Sequence, residues 1–540
     1  MLTGLARAAL LFAVLLLGAQ PSTAAEGAAS PQEFAGIIVN LTDLLANEPT
    51  LPLPVRQRRD ALNAYYQEHG GALIWIGTPR MAELVARLKR AEDDGLDPAS
   101  YPSAQLAKLA ATAPDTDVRS KAIIELVFSA AFLEFASDLR VGRLLPHKID
   151  PNFFLHEKPI DQLAALTGVA TAQSVVAFLA DWQPKGDDYA ALRGALSRYR
   201  AIAKAGGWPT VPLGAALKPG TDDARVAALR ARLAVTDGPM GPDAGQHYDD
   251  ALEAVVQAFQ ARHGIDPDGV VGNATIAALN VPVEDRIQEI VVAMERWRWM
   301  PDNLGADHVM VNIAGYELTL VRAGKVADRM AVVVGKPYSR TPVFSDAIKY
   351  VELNPYWNVP GDIAAKEELP ILKKNPAGLA ATGFEAVQGG QAVPVTQVDW
   401  SRYGPSDFPF QLRQRPGPKN ALGRVKFVFP NKFDIYLHDT PAQSLFDKSD
   451  RAFSHGCIRL SRPVDLAEEV LADVPGWNRS RIDQVIAGGN NTVVNLVHPL
   501  PIHITYLTAW VANGRVNFRN DVYEQDAKLI DALAGRSMAW

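Results

Sequence analysis

Apolar residues recur at helical spacing over most of the first two hundred residues of this chain. Leu84 and Leu88 share one face of a predicted helix, while the stretch from Ala122 to Phe135 is apolar nearly all round. A helix without a polar face belongs in the interior of a domain, because none of its sides favours water. The pattern therefore predicts an α-helical domain over residues 31–205.

A segment rich in glycine and proline, 206–221, predicts a linker, and a compact helical unit follows it over 222–280. The second helix of this unit is expected over 248–263. Consecutive turns follow over 264–272, after which Asn273 is expected to cap a short last helix. The chain therefore contains a second, smaller helical domain.

After one more helix, predicted over 283–299, the periodicity changes from helical to alternating. Short β-rich runs follow one another, separated by turns that contain glycine. The predicted strands cover 309–313, 316–321, 330–334, 348–353, 425–429, 435–437, 492–496 and 504–511, and the predicted helices cover 464–472 and 481–487. Residues 283–540 are therefore expected to form one β-rich domain of the α+β class.

The first 25 residues have the pattern of a secretory signal, with Arg7, an apolar run over 8–17 and small residues before the cleavage site. The apolar run is too short to span a bilayer. Removal of the segment takes away one positive charge and leaves 53 Lys and Arg (54 minus Arg7) against 60 Asp and Glu. This balance argues against nucleic acid or an anionic membrane as a partner. We expect an exported, soluble protein with no stable membrane anchor after cleavage.

Cys457 is the only cysteine among the 540 residues, and it lies in the sequence Ser454-His455-Gly456-Cys457. An exported thiol without a partner in the chain cannot form an internal disulfide. His455, and His438 nineteen residues upstream, are candidate partners that would make the thiol a nucleophile. The alternative is a small buried apolar residue, since free cysteine is often buried. That alternative does not account for the adjacent glycine and histidine.

Three neighbours of Cys457 have expected roles. His438 ends a predicted strand, which would hold its imidazole rigidly as a base for the thiol. Gly456 permits a close backbone turn, so the N–H groups of Gly456 and Cys457 are expected to donate to an oxyanion. Arg459 has a fixed charge, which would hold either a substrate carboxylate or the loop itself.

A long insertion, 361–424, interrupts the β-rich domain. Its first part, 364–374, has a charged helical pattern, and the rest is rich in glycine and proline. Long insertions beside a catalytic residue are typical of lids. We expect this insertion to be a mobile lid over Cys457.

His438, fifteen intervening residues and then Ser454-His455-Gly456-Cys457 resemble the YkuD-type L,D-transpeptidases. The resemblance extends over nearly all of the mature chain and points to the large periplasmic subclass. It includes the helical scaffold region, the similarity of 222–280 to a three-helix peptidoglycan-binding domain, and the stretches 295–299, 354–360 and 503–523.

The resemblance implies roles for individual residues. Cys457 would be the acylated nucleophile, His438 its base and the main-chain oxygen of Asp439 the group that orients the imidazole. His455 would support the site or relay a proton. Many members have Asn where this chain has Arg459, which leaves the role of that position open. The resemblance also implies that the substrate contacts Arg459, Trp357, Tyr436, Phe453 and Ser454. Core packing is the alternative for Trp357, Tyr436 and Phe453.

The implied reaction joins two stem peptides of peptidoglycan. Cys457 attacks the carbonyl of diaminopimelate, the third residue of a tetrapeptide stem, and D-alanine leaves. The side-chain amine of a second stem then attacks the thioester and gives a 3→3 cross-link. The resemblance implies neither a metal nor an organic cofactor, and the sequence contains no His-x-x-x-His or Cys-x-x-Cys pattern.

The resemblance further implies inhibition by β-lactams, carbapenems above all. It places a monomer in the periplasm of a Gram-negative bacterium, where it would act in cell wall organisation and cell shape.

The same thioester permits other outcomes, which the sequence does not separate. Water as the acceptor gives an L,D-carboxypeptidase, a protein lysine gives attachment of that protein to the wall, and a donor cleaved after its first residue gives 1→3 cross-links. A non-catalytic wall-binding scaffold, built around 222–280, is the alternative from a different class.

Overall fold

The computed structural model describes residues 30–238 and 245–535, and the predicted signal segment, 1–25, lies outside them. Helices dominate the N-terminal half and strands the C-terminal half, which confirms the predicted multidomain α+β architecture. The helices are α1 (Pro31–Asn47), α2 (Leu53–Gln57), α3 (Arg59–Glu68), α4 (Arg80–Lys89), α5 (Ser103–Thr112), α6 (Val118–Val141), α7 (Pro146–Ile149), α8 (Gln162–Thr171), α9 (Val175–Trp182), α10 (Asp187–Lys204), α11 (Arg225–Asp237), α12 (Asp250–Arg262), α13 (Asn273–Leu279), α14 (Val283–Trp299), α15 (Gly361–Ile363), α16 (Leu369–Lys374), α17 (Pro376–Ala380), α18 (Pro463–Val470), α19 (Arg479–Gly488) and α20 (Asp526–Ala534).

The N-terminal domain packs around α6, as its all-round apolar pattern predicts. This 24-residue helix is buried along most of its length. One polar residue of α6, Glu125, is fully buried, and its carboxylate accepts N–H donors from Ile74 at 2.6 Å and Ile76 at 2.9 Å. A buried carboxylate is tolerated when donors replace its water. Here Glu125 ties the 74–76 loop, with its buried Trp75, to the central helix.

The small helical unit consists of α11, α12 and α13 around its own apolar core. A short antiparallel bridge between Leu217 and Val271 closes it. The predicted cap at Asn273 is wrong. Asn273 is the first helical residue, and Gly272 occupies the cap position without a side-chain hydrogen bond.

The C-terminal domain is built on a nine-stranded sheet in the order β11-β3-β12-β10-β9-β4-β13-β1-β2, and β2 also pairs with β3, so the sheet closes on itself. The strands of the chain are β1 (His308–Asn312), β2 (Glu317–Arg322), β3 (Lys325–Gly335), β4 (Phe344–Leu353), β5 (Trp357–Asn358), β6 (Phe384–Gln388), β7 (Gln391–Pro394), β8 (Gln411–Gln414), β9 (Val425–Val428), β10 (Leu437–His438), β11 (Ala452–Ser454), β12 (Ile458–Leu460), β13 (Thr492–Thr505), β14 (Ala509–Ala512) and β15 (Arg515–Phe518).

The strand predicted over 504–511 is wrong, because the chain leaves the large sheet within this range, after Thr505. β13 ends at Thr505, and β14 belongs to a separate hairpin with β15. The side chain of Asn312 accepts the Leu507 N–H at 2.9 Å and donates to the Leu507 carbonyl at 3.0 Å. These two bonds occupy the backbone groups that would otherwise continue the ladder.

The insertion is a small folded unit with strands that its glycine- and proline-rich sequence does not predict. Strands β8, β6 and β7 of the insertion form a separate four-stranded sheet with β5, which directly precedes the insertion. Its predicted helix is present, with a π-helical segment over 364–368 between α15 and α16. The apolar core of the insertion includes Leu369, Leu372, Phe384, Trp400 and Leu412.

Among the described residues, no helix combines the length and apolar character that a transmembrane span requires.

Candidate active site

The candidate site lies on one face of the large sheet, where β10 runs between β9 and β12. His438 in β10 stands opposite Lys426 in β9 and Arg459 in β12. Side chains alternate along a strand, so these three share one face. Leu437 and Ile458 point the other way and are fully buried in the core. The sheet therefore presents an imidazole between two cationic side chains.

The thiol lies on the same face. Cys457 directly precedes β12 and is level with Tyr436, since the Ile458 N–H donates to the Tyr436 carbonyl at 3.1 Å. Cys457 is half-buried, and its thiol donates to the carbonyl of Asp434 at 3.6 Å. Asp434 has a left-handed backbone with φ of 53°, which turns its carbonyl into the site. Alternation along β10 then puts His438 and the thiol on the same face of the sheet.

The thiol is protonated at rest. Burial is the largest influence on it and raises the pKa of Cys457 to about 11. The main chain and hydroxyl of Tyr436, followed by the charges of Lys426 and Arg459, act in the opposite direction. These groups favour the thiolate once a base removes the proton.

His438 is positioned as that base. It is 4% exposed, and its Nδ1 lies 2.5 Å from the main-chain oxygen of Asp439. A carbonyl oxygen only accepts, so Nδ1 carries the hydrogen and Nε2 keeps its lone pair. Burial, with Arg459 and Lys426 adding to it, lowers the pKa of His438 to about 3. The imidazole is therefore neutral at physiological pH and able to accept a proton.

Asp439 contributes its main-chain oxygen to the imidazole, while its side chain holds the end of the insertion. The carboxylate is 4% exposed and accepts from the Arg424 N–H at 2.8 Å and from Arg424 Nε at 3.2 Å. A Cβ on Gly423 would lie 2.3 Å from the Asp439 side chain, so glycine is required there. The strand that carries His438 is thereby fixed to the junction between insertion and sheet.

Two residues of the Ser-His-Gly-Cys loop differ from their predicted roles. Ser454 is 2% exposed, and its hydroxyl donates to the Cys457 carbonyl at 2.6 Å and accepts the Gly456 N–H at 3.1 Å. Ser454 therefore closes the loop and offers no hydroxyl to a substrate. The Gly456 N–H is engaged in the loop and is unavailable as an oxyanion donor. The Cys457 N–H remains the candidate donor.

His455 faces the insertion. Its Nε2 lies 2.7 Å from Oε1 of Glu367, in the π-helical segment. His455 is exposed, so the pair lies at the rim of the site. The contact joins the catalytic loop directly to the insertion.

Family profiles match three parts of this chain. The profile described as "L,D-transpeptidase catalytic domain" (YkuD) matches residues 306–486. Residues 306–486 are a YkuD-family L,D-transpeptidase catalytic domain. A "Scaffold domain" profile matches residues 60–196, and one described as "Putative peptidoglycan binding domain" matches 222–279.

One curated relative is similar to this chain, a protein of Haemophilus influenzae described as "Putative L,D-transpeptidase". It is 32% identical over 243 residues, which make up 45% of this chain and 49% of that protein. The chain thus matches about half the length of this curated relative.

Solved L,D-transpeptidase structures also match. One from Xylanimonas cellulosilytica is 17% identical, and the match covers 54% of this chain and 98% of that one, with a TM-score of 0.18. One from Mycobacterium smegmatis is 13% identical, and the match covers 37% and 58%, with a TM-score of 0.17. At these scores the superpositions support no structural argument.

Sequence reasoning missed Lys426 in the L,D-transpeptidase domain. Its Nζ lies 4.2 Å from the centre of the Tyr436 ring and 3.9 Å from Glu352. The available signal was a single lysine between Val425 and Phe427, which are both buried. A charged residue within an apolar strand is rarely buried without an oppositely charged or polar partner, so its presence indicates a site.

Arg459 presents an unsatisfied donor at the site. Its Nε is buried, and within the described part of the chain it has no hydrogen-bond partner. Buried donors are normally paired. This geometry favours the first of the two predicted roles, in which Arg459 receives a carboxylate.

Of the remaining predicted substrate contacts, Tyr436 lies beside the thiol, and Trp357 packs in the core of the insertion. Trp357 packs edge-on against Phe384 in the core of the insertion, with ring centres 5.9 Å apart. Phe453 lies partly buried in β11, three residues before Gly456. The substrate-binding roles of Trp357 and Phe453 stay predictions.

Proposed function

We propose that this protein is a cysteine-dependent L,D-transpeptidase that forms 3→3 cross-links in peptidoglycan. The observation that carries the proposal is that the Cys457 thiol and a neutral His438 imidazole lie on one face of the sheet, in a region that matches the L,D-transpeptidase catalytic profile. The hydrogen on Nδ1 is held by Asp439, which leaves Nε2 free to accept the thiol proton.

In the first half-reaction, Nε2 of His438 takes the thiol proton as sulfur bonds to the carbonyl carbon of diaminopimelate in the donor stem. The tetrahedral oxyanion forms beside the Cys457 N–H. The bond to D-alanine then breaks, and the imidazolium returns its proton to the departing amine. The product is a thioester on Cys457 and a free D-alanine.

In the second half-reaction, the side-chain amine of another stem attacks the thioester carbonyl. His438 accepts a proton from this amine, and the carbon–sulfur bond breaks. The thiolate is reprotonated, and the new amide is the cross-link. Both half-reactions start from neutral groups, which is consistent with the opposed pKa shifts of Cys457 and His438.

The cations of the cleft complement this chemistry. Arg459 has an unpaired donor that suits the terminal carboxylate of the donor stem. Lys426 contacts the Tyr436 ring and the Glu352 carboxylate, and these two contacts fix the position of its charge. The fixed charge would stabilise the thiolate in both half-reactions.

We further propose that the enzyme works in the periplasm. The secretory pattern of residues 1–25 and the peptidoglycan-binding profile over 222–279 support this location. The small domain would hold the enzyme on its polymeric substrate. The insertion would act as a lid that closes on the stem peptide through the Glu367–His455 contact.

The test is incubation of the purified protein with disaccharide-tetrapeptides, followed by mass spectrometry. The proposal expects a dimer that has lost one D-alanine and carries a diaminopimelate-to-diaminopimelate bond, and it expects Cys457→Ala to abolish this dimer. A tripeptide monomer as the only product would identify a carboxypeptidase. Unchanged substrate, with binding to intact wall retained, would favour the non-catalytic scaffold.

A further inference from the structure

One segment of the helical domain reaches the catalytic domain beside the Ser-His-Gly-Cys loop. We name residues 150–155 the strap. The Val343 N–H donates to the Asn152 carbonyl at 2.9 Å, and the Phe154 N–H donates to the Val343 carbonyl at 2.8 Å. These bonds form a short parallel bridge at Phe153. The strap thus adds a piece of strand to residues 341–343.

The strap begins at a buried carboxylate. Asp150 is 2% exposed, and its Oδ2 accepts from Arg340 Nη1 at 2.9 Å and from Gln525 Nε2 at 3.1 Å. Its Oδ1 accepts the Asn152 N–H at 2.8 Å. One side chain of the helical domain therefore holds Arg340 from β3–β4 and Gln525 from the C-terminal segment. A buried, fully satisfied carboxylate of this kind defines one geometry for the groups around it.

The residue after Arg340 is bonded to the catalytic loop. Thr341 is 1% exposed, and its hydroxyl accepts the Gly335 N–H at 2.9 Å and donates to the Gly456 carbonyl at 2.7 Å. Its own N–H donates to the Tyr523 hydroxyl at 3.1 Å. Every polar group of Thr341 named here points to a fixed partner, so the Gly456 carbonyl is held in one direction.

The direction of that carbonyl fixes a catalytic group. The Gly456 carbonyl and the Cys457 N–H belong to the same planar peptide unit and point in opposite directions. Holding the oxygen therefore aims the N–H. Because Ser454 engages the Gly456 N–H, the Cys457 N–H is the donor of this loop left for the oxyanion.

A second contact of the strap reaches the other side of the thiol. The ring of Phe154 lies 4.2 Å from that of Phe433, centre to centre. The next residue, Asp434, supplies the carbonyl that accepts the Cys457 thiol. The strap therefore contacts the turn that holds the sulfur directly, and it reaches the loop that carries the nucleophile through Arg340 and Thr341.

We propose that Asp150 is a positioning residue for acylation, which acts through Arg340 and Thr341 to aim the Cys457 N–H at the oxyanion. The helical domain thereby completes the oxyanion site of the catalytic domain. This inference rests on the proposed function, since it assigns a donor for the acyl-transfer step.

The test separates oxyanion stabilisation from reactivity of the thiol. Acylation of Cys457 by a carbapenem such as meropenem passes through an oxyanion, whereas alkylation by iodoacetamide is a displacement without one. In the full-length protein, Asp150→Asn and Thr341→Val should each slow acylation by about tenfold to hundredfold, as misaligned catalytic groups do. Alkylation should stay within about twofold, because the thiol keeps its own surroundings.

Asp302→Asn is the matched control. Asp302 also joins the helical and catalytic domains, through Arg140 at 2.7 Å and Lys158 at 3.0 Å, but it lies outside the strap. This variant should acylate at the wild-type rate. The double variant Asp150→Asn/Thr341→Val should lose no more than the larger single loss, because both residues act through one chain of contacts.

The outcomes are distinguishable. Wild-type acylation by Asp150→Asn, or equal loss of acylation and alkylation, would overturn the inference. If Asp150→Asn lowers the melting temperature sharply, Arg340→Gln replaces it as the test variant. This substitution removes the same Asp150–Arg340 contact from the side of the catalytic domain. If the wild-type protein neither acylates nor cross-links, the proposed function fails, and alkylation remains as a separate measure of the thiol.

Discussion

Lys426 places its ammonium 4.2 Å from the centre of the Tyr436 ring, on the sheet face that also carries His438 and Cys457. The lysine and the aromatic ring hold each other in place, since a cation is attracted to the face of a ring. This holds a positive charge on the sheet face that carries the thiol. The charge favours the thiolate and disfavours the imidazolium.

Replacing Lys426 should therefore weaken the nucleophile. Lys426→Met keeps much of the packing on Tyr436 but removes the charge, so the pKa of Cys457 should rise above its present value of about 11. Alkylation by iodoacetamide at pH 8 should slow by up to about tenfold, the effect of one pKa unit. Lys349→Met is the control. Lys349 is an exposed lysine of β4, the strand that also carries Glu352, the ion-pair partner of Lys426. An equal rate change in both variants would contradict the prediction.

The wild-type thiol should show an unusual pH profile. An ordinary thiol becomes fully reactive near pH 9, whereas burial raises the pKa of Cys457 to about 11. The alkylation rate should therefore keep rising through pH 9 and reach half its maximum near pH 11. Cys457 is the only cysteine of the chain, so intact mass follows it directly. A plateau below pH 8 would show a thiolate–imidazolium pair at rest and contradict the neutral pair.

His438 should be needed for acyl transfer rather than for folding. His438→Gln retains an N–H that can reach the Asp439 oxygen but has no basic lone pair. Cross-linking should fall by about a hundredfold or more, the usual contribution of a general base. Far-ultraviolet circular dichroism and the melting temperature should stay close to wild type. Activity within a few fold of wild type would remove His438 from the mechanism.

The sequence predicted the elements whose signals are local. The helix α14 has the predicted bounds, 283–299, because its apolar period and flanking proline are local features. The same holds for the position of His438 at the end of a strand.

The features that the sequence did not predict depend on distant partners. The insertion sheet is built from strands of two to five residues, too short for a clear alternation. The sequence assigns Ser454 to substrate binding and the Gly456 N–H to the oxyanion. These two residues bond to each other instead, and that hydrogen bond forms only in the folded loop. The contact between Asp150 and Arg340 joins residues 190 positions apart, and no local pattern marks it.

The Glu367–His455 contact is the expected closing point of the insertion over the catalytic loop. Glu367→Gln replaces a charged acceptor by a neutral one and should weaken the hold of the insertion on the catalytic loop. A long stem peptide needs the cover for positioning, whereas a small β-lactam does not. The variant should therefore raise KM for muropeptides several-fold while carbapenem acylation stays near the wild-type rate. Lys366→Gln is the control, because Lys366 is exposed and pairs with Asp362 inside the insertion. The insertion has its own apolar core, so neither variant should shift the melting temperature by more than about 2 °C, as expected for surface substitutions. Equal loss of both activities in Glu367→Gln would make the contact a structural support of the loop and contradict the lid.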